Sequence, residues 1–114
     1  MIAVIFEFTA SPERRQEYLD IAGGLNALVK DFDGFISIER FQSLGDPDRY
    51  VSLSFWRDEE CVRKWRNVMQ HREAQAKGRG GVFKSYRLRI ASVLRDYGMD
   101  ERTQAPADSV KAHG

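Results

Sequence analysis

The opening residues IAVIFEFTA (2–10) set large apolar side chains on a β-branched and aromatic background, which predicts a strand. Ile2, Val4, Phe6 and Phe8 would share one side of it, and Ala3, Ile5, Glu7 and Thr9 the other. At SPE the period changes. Ser11 suits an N-cap, Pro12 the first helical position, and Glu13 the positive end of the helix dipole. Tyr18, Ile21, Ala22, Leu25, Leu28, Val29 and Phe32 then recur at helical spacing. Gly23 and Gly24 interrupt that helix at about 1 kcal/mol each, as a kink or a point of close approach. Asp33-Gly34 ends it. FISIERFQSL (35–44), the turn GDPDR (45–49) and YVSLSFW (50–56) predict a hairpin. Asp58, a plausible N-cap, opens a second helix with Glu59 and Glu60 in its first turn. Its stripe runs Cys61, Val62, Trp65, Val68, Met69, Arg72 and Ala76 before GRGG (78–81) stops it. VFKSYRLRIASVLRDYG (82–98) reads as a long last strand, and residues 99–114, without periodicity, as a mobile tail.

The predicted order β-α-β-β-α-β is the split unit of ferredoxin-like α+β folds, a four-stranded antiparallel sheet with both helices on one face. This gives one domain, 1–98, followed by the tail 99–114. The other face would carry Ala3, Ile5, Ala91 and Val93 among Glu7, Arg87 and Arg89. That surface is apolar enough to call for a cover, and a second copy of the sheet is the simplest one. The expectation is a homodimer, with Glu7 paired to Arg87 or Arg89 on the neighbouring strand.

With 114 residues the chain is the size of one domain, and 18 basic against 17 acidic residues leave a net charge of +1. This balance argues against nucleic acid or an anionic membrane as partner. No apolar run approaches the ~20 residues that cross a bilayer. Cys61 is the single cysteine, which rules out an intrachain disulfide. With no signal-like N-terminal stretch, the expected location is the cytoplasm. Nucleophile-elbow, phosphate-loop, paired-cysteine and dinucleotide patterns are missing from the sequence. GRGG follows a helix rather than preceding one, so the dipole points the wrong way to cradle phosphate. Cys61, at a helix start, is either a thiol of lowered pKa or a buried structural one.

The candidate chemistry lies in WRNVMQH (65–71) and the next residue. Trp65, in mid-stripe, is a core aromatic or a pocket wall. His71 falls on the flank of the stripe: a helix-edge residue, a proton carrier or an axial haem ligand. One histidine does not make a metal site, which needs several ligands. Arg72 lies near the centre of the stripe, where a cation must snorkel, find an acid, or hold an oxyanion in a pocket.

IAVIFEFTASPE, GFISIERF, SLSFW leading into RDEECVRKWR, and His71 followed by a small-residue turn and YRLRI resemble the antibiotic biosynthesis monooxygenase domain family. The resemblance spans residues 1–97 and includes the spacing of Trp56 and Trp65. It implies a dimeric α+β barrel, two ferredoxin-like subunits packed sheet to sheet, each with an apolar pocket between helices and sheet. It also implies one of two activities: cofactor-free oxygenation of phenols, quinols or anthrone-like polyketides, or haem degradation. Haem degraders of the family carry an Asn on the first strand, a Trp on the second helix and a His on the iron. Trp65 matches the Trp, but Val4 stands at the Asn position and Gln75 where the ligand is expected. His71 would serve only if the helix shifted by about one turn. The expectation is therefore a small cofactor-independent monooxygenase acting on an apolar aromatic ligand. His71 would be its base, Arg72 would stabilise the oxyanion, and Trp65, Phe6, Phe8 and Phe55 would stack on the ring. Haem binding or degradation, or a non-catalytic small-ligand-binding dimer, is the alternative.

Overall fold

A computed structural model of the chain describes residues 1–77 and 84–114, with the side chains of 1–69 and 84–114. Four strands, β1 (Ile2–Thr9), β2 (Phe35–Gln42), β3 (Arg49–Trp56) and β4 (Ser85–Ser92), form one antiparallel sheet in the order β2-β3-β1-β4. Helix α1 (Arg15–Val29) joins β1 to β2, α2 (Glu59–Lys77) follows β3, and α3 (Ala107–His113) lies near the C-terminus. This is the ferredoxin-like α+β fold that the hydrophobic pattern predicts. Within one chain the sheet is open.

Strand parity decides which side chains meet the helices. Val4 pairs with Ser54 and Ile90, Phe6 with Ser52 and Leu88, and Phe8 with Tyr50 and Tyr86. These residues share the helix face, because facing residues of an antiparallel ladder point the same way. The core there falls into two clusters. Phe8, 2% exposed, packs with Tyr18 and Ala22 of α1, its ring 4.6 Å from Tyr18 and 5.5 Å from Tyr50. Trp56, also 2% exposed, joins Val29, Cys61 and Val62, with Phe32, Phe35 and Trp65 edged around it. Its indole Nε1 donates to Ser54 Oγ (2.9 Å), so the buried polar edge is satisfied.

The element ends differ from the sequence reading in four places. Ser11 caps a single 3₁₀ turn, Pro12–Arg14, by accepting from the Arg14 N–H (3.0 Å) through its carbonyl, and the α-helix starts only at Arg15. Phe32 lies beyond the helix, its N–H donating back to the Val29 carbonyl at 2.9 Å. β4 stops at Ser92 instead of running to residue 98. The tail, given no element by its pattern, contains α3; GRGG and Val82-Phe83 lie outside the described residues.

Asp58 does cap α2: its Oδ1 accepts the Cys61 N–H at 2.9 Å. That bond, with help from Arg57, holds the Asp58 carboxyl at a pKa of about 2. The corner below it is pinned at Gly34, whose φ of +84° favours glycine and whose carbonyl accepts the Arg57 N–H (2.8 Å). A Cβ at Gly34 would run into Cys61 Sγ and sit 2.7 Å from Cys61 Cβ. Gly23 and Gly24, by contrast, sit in an unbroken helix with open space around them, so close packing does not account for either.

Candidate functional site

On the helix face the sheet is covered unevenly. Over β2 and β3 the two core clusters shield it. Over β4, Tyr86, Leu88 and Ile90 remain 67%, 47% and 39% exposed, although they stand in register with the apolar side of β1. Phe6 bridges the two zones, stacked on Phe8 (5.2 Å) and meeting Tyr86 edge-on (5.6 Å). The result is an apolar strip of Phe6, Tyr86, Leu88 and Ile90. Trp65, half-buried on α2, lies 5.2 Å from Phe32 and 6.1 Å from Trp56 in the second cluster.

The expected site residues separate on this geometry. Phe6 lines the strip, whereas Phe8 is sealed behind it among Tyr18 and Tyr50, a core residue rather than a wall. Phe55 does not join them: it faces Ala3 in the register, one residue out of phase with Trp56, and therefore projects from the opposite face. His71 and Arg72 belong to the helical part of α2, but their side chains lie outside the described residues. Tyr86, Leu88 and Ile90 are absent from the expected set. Their signal was in YRLRI, where apolar residues alternate with arginines and fall in phase with Val4, Phe6 and Phe8.

The opposite face is built from Ala3, Ile5 and Glu7 of β1, Val51, Leu53 and Phe55 of β3, and Arg87, Arg89 and Ala91 of β4. Glu7 sits near its middle, and Arg89 and Arg49 donate to its two carboxylate oxygens, each at 3.1 Å. The Arg89 hydrogen bond is the main cause of a Glu7 pKa below the usual range. Of the two partners expected from the sequence, Arg89 on the diagonal makes the pair. A cleft of about 220 Å³ opens here beside Glu7, Phe41 and Arg49. Cys61 is buried on the helix side and its thiol pKa is raised by burial, with Asp58 adding to the effect, as suits a structural thiol. Among the described residues no cluster of three or more His, Cys, Asp or Glu could hold a metal ion, and no helix is long and apolar enough to cross a membrane.

This arrangement has relatives. The family model described as antibiotic biosynthesis monooxygenase matches residues 1–77. The chain belongs to this family. It is 45% identical over 93 residues to the jasmonate monooxygenase ABM of Pyricularia oryzae, covering 82% of this chain and 43% of that protein. The chain thus spans less than half the length of that relative. Among solved structures it resembles SnoaB, a cofactor-independent oxygenase from Streptomyces nogalater, with a TM-score of 0.67 at 13% identity, covering 83% of this chain and 94% of SnoaB. It also resembles MhuD, a heme-degrader from Mycobacterium tuberculosis with two hemes bound in its active site, with a TM-score of 0.63 at 19% identity, covering 86% of this chain and all of MhuD. At such identities the two structures establish the fold of this monooxygenase-family member and nothing finer.

Proposed function

We propose that this chain is a cofactor-independent monooxygenase, working as a homodimer in the cytoplasm on a flat, apolar ring bearing a phenol, quinol or ketone oxygen. The apolar strip of half-buried Phe6 and exposed Tyr86, Leu88 and Ile90, with Ile90 paired to Val4 of the Trp56 and Trp65 cluster, in a chain of this family, carries the reading. Such a strip suits a planar hydrocarbon ring, which gains from apolar burial and from aromatic edges. The name of the Pyricularia oryzae relative adds a cyclic ketone, jasmonate, to the compounds worth testing.

In this mechanism the substrate supplies the electrons. His71 takes a proton from the ring carbon or hydroxyl next to the carbonyl, and Arg72 holds the oxygen on which the charge settles. The electron-rich anion then reacts with molecular oxygen. At a ring methylene the balance closes without a reductant: one CH₂ and one O₂ give one C=O and one water. Trp65 and Phe6 orient the ring.

The residues present do not fit haem well. Val4, at the strand position where haem degraders carry Asn, packs with the Trp56 cluster and offers no donor. An oxygen electrode with an anthrone or a quinol as substrate tests the proposal. Uptake should be stoichiometric with substrate, fall at least tenfold in His71→Ala, and survive chelators. A Soret band on titration with haem, together with no uptake on any ring substrate, would replace this reading with the haem one.

A further inference from the structure

We infer that the substrate carries a carboxylate tail beside its ring, and that the sheet rim at Tyr86 and Arg87 binds this tail. The inference rests on the ring-binding strip proposed above. A cleft of about 290 Å³ opens at the ends of β1, β3 and β4, where Thr9, Arg49 and Ser85 form the last paired row of the sheet. Tyr86 belongs both to this cleft and to the apolar strip, so a ligand lying on the strip runs into the cleft. From Leu88 to Ser85 the strand advances about 10 Å, the length of a ring extended by a short carbon chain.

The two zones differ in chemistry. The strip offers hydrocarbon and aromatic surface, whereas the cleft is lined by the guanidinium groups of Arg49 and Arg87 and the hydroxyls of Thr9 and Ser85. Glu7 is the one acid among its described lining residues, and both oxygens of that carboxylate are taken, by Arg49 and Arg89. Arg87 stands directly opposite Glu7 in the register, yet it makes no ion pair among the described residues. Lys84 adds a cation at the rim, where its N–H donates to the Thr9 carbonyl at 2.9 Å, and its charge acts on Glu13. The unmatched charge in the cleft is therefore that of Arg87.

Placement lets this cation serve the helix side. Phe8 and Tyr86 enter the cleft from the helix face, and Glu7 and Arg87 from the other, so the cleft straddles the rim. β4 is an edge strand, and a long side chain on it reaches round that edge. A planar guanidinium without an acid of its own, beside two hydroxyls, suits a carboxylate, which accepts two N–H bonds at once. The strip holds any flat ring of the right size; Arg87 selects the ring that bears an acid.

The test is equilibrium dialysis of the full chain against naphthylbutanoate and against its methyl ester. The acid should bind about tenfold more tightly than the ester, with a gap that narrows at high salt. Arg87 is exposed, so Arg87→Gln should fold as the parent does. This variant should bind the two probes alike, with its affinity for the ester unchanged, and Arg87→Lys should restore part of the preference. Equal affinity of the parent for acid and ester, or a preference kept in Arg87→Gln, would overturn the tail site and leave the ring strip standing. Binding of the acid alone, unaltered by Leu88→Asp, would overturn the ring strip and leave the cleft as an acid site. A chain that binds neither probe would overturn both.

Discussion

Adjacent residues on β3 have opposite fates. Trp56 lies under α1 and α2 with its indole hydrogen-bonded to Ser54, while Phe55 projects from the opposite face. The same division runs through β1, where Phe8 is sealed in the core and Glu7 is held by two arginines on the far side. One sheet therefore has two different apolar surfaces. The helix face is aromatic and closed, except along β4. The open face mixes Ile5, Val51, Leu53 and Phe55 with the ion pairs of Glu7 to Arg49 and Arg89. Period-two alternation lets one strand serve both purposes without compromise.

Substituting the two neighbours separates these surfaces most strongly. Trp56→Ala should destabilise the fold by about 3–5 kcal/mol in urea denaturation, because a large ring leaves a closed cluster. Phe55→Ala should cost the single chain only about 1–2 kcal/mol and act chiefly on association. Equal losses in the two variants would mean that the faces are not distinct. Next in size is Gly34→Ala. It combines a positive φ with overlap on Cys61 and should cost about 2–3 kcal/mol, read as a lowered midpoint of thermal unfolding. Away from both faces, Gly24→Ala should raise stability by about 1 kcal/mol, since the added methyl meets open space in mid-helix.

Asp58 gives the smallest effect at neutral pH and a distinct signature in acid. Its folded pKa of about 2 lies below the ordinary value near 3.9. The stability it contributes is complete above pH 5 and is lost as pH falls toward 2. Asp58→Asn keeps an acceptor at the cap and should flatten that part of the pH profile. An unaltered profile would assign acid sensitivity to other carboxylates.

How much of this was legible beforehand depends on whether a feature is set by local period or by pairing. The order of elements, the cap at Asp58 and the change of period at Ser11 are local, and the chain states them directly. The parity of Phe55 relative to Phe6 is not local, because it follows from Phe8 standing opposite Tyr50, which only the register reveals. The register alone therefore sets Phe55 on the opposite face from Phe6 and Phe8. YRLRI reads as a two-faced strand, but the exposure of Tyr86, Leu88 and Ile90 on its apolar side shows only in the structure. The helix α3 has no apolar stripe to announce it.

The claim that the open face belongs to a second copy is tested most directly by the solution mass at micromolar concentration. Sedimentation equilibrium should give about twice the chain mass for the unmodified protein. It should give the single-chain mass for Leu53→Glu, which places a charge mid-face and leaves the helix side intact. An unmodified chain that sediments as a monomer throughout would contradict the account, since the face carrying Ile5, Leu53 and Phe55 would then stand in water.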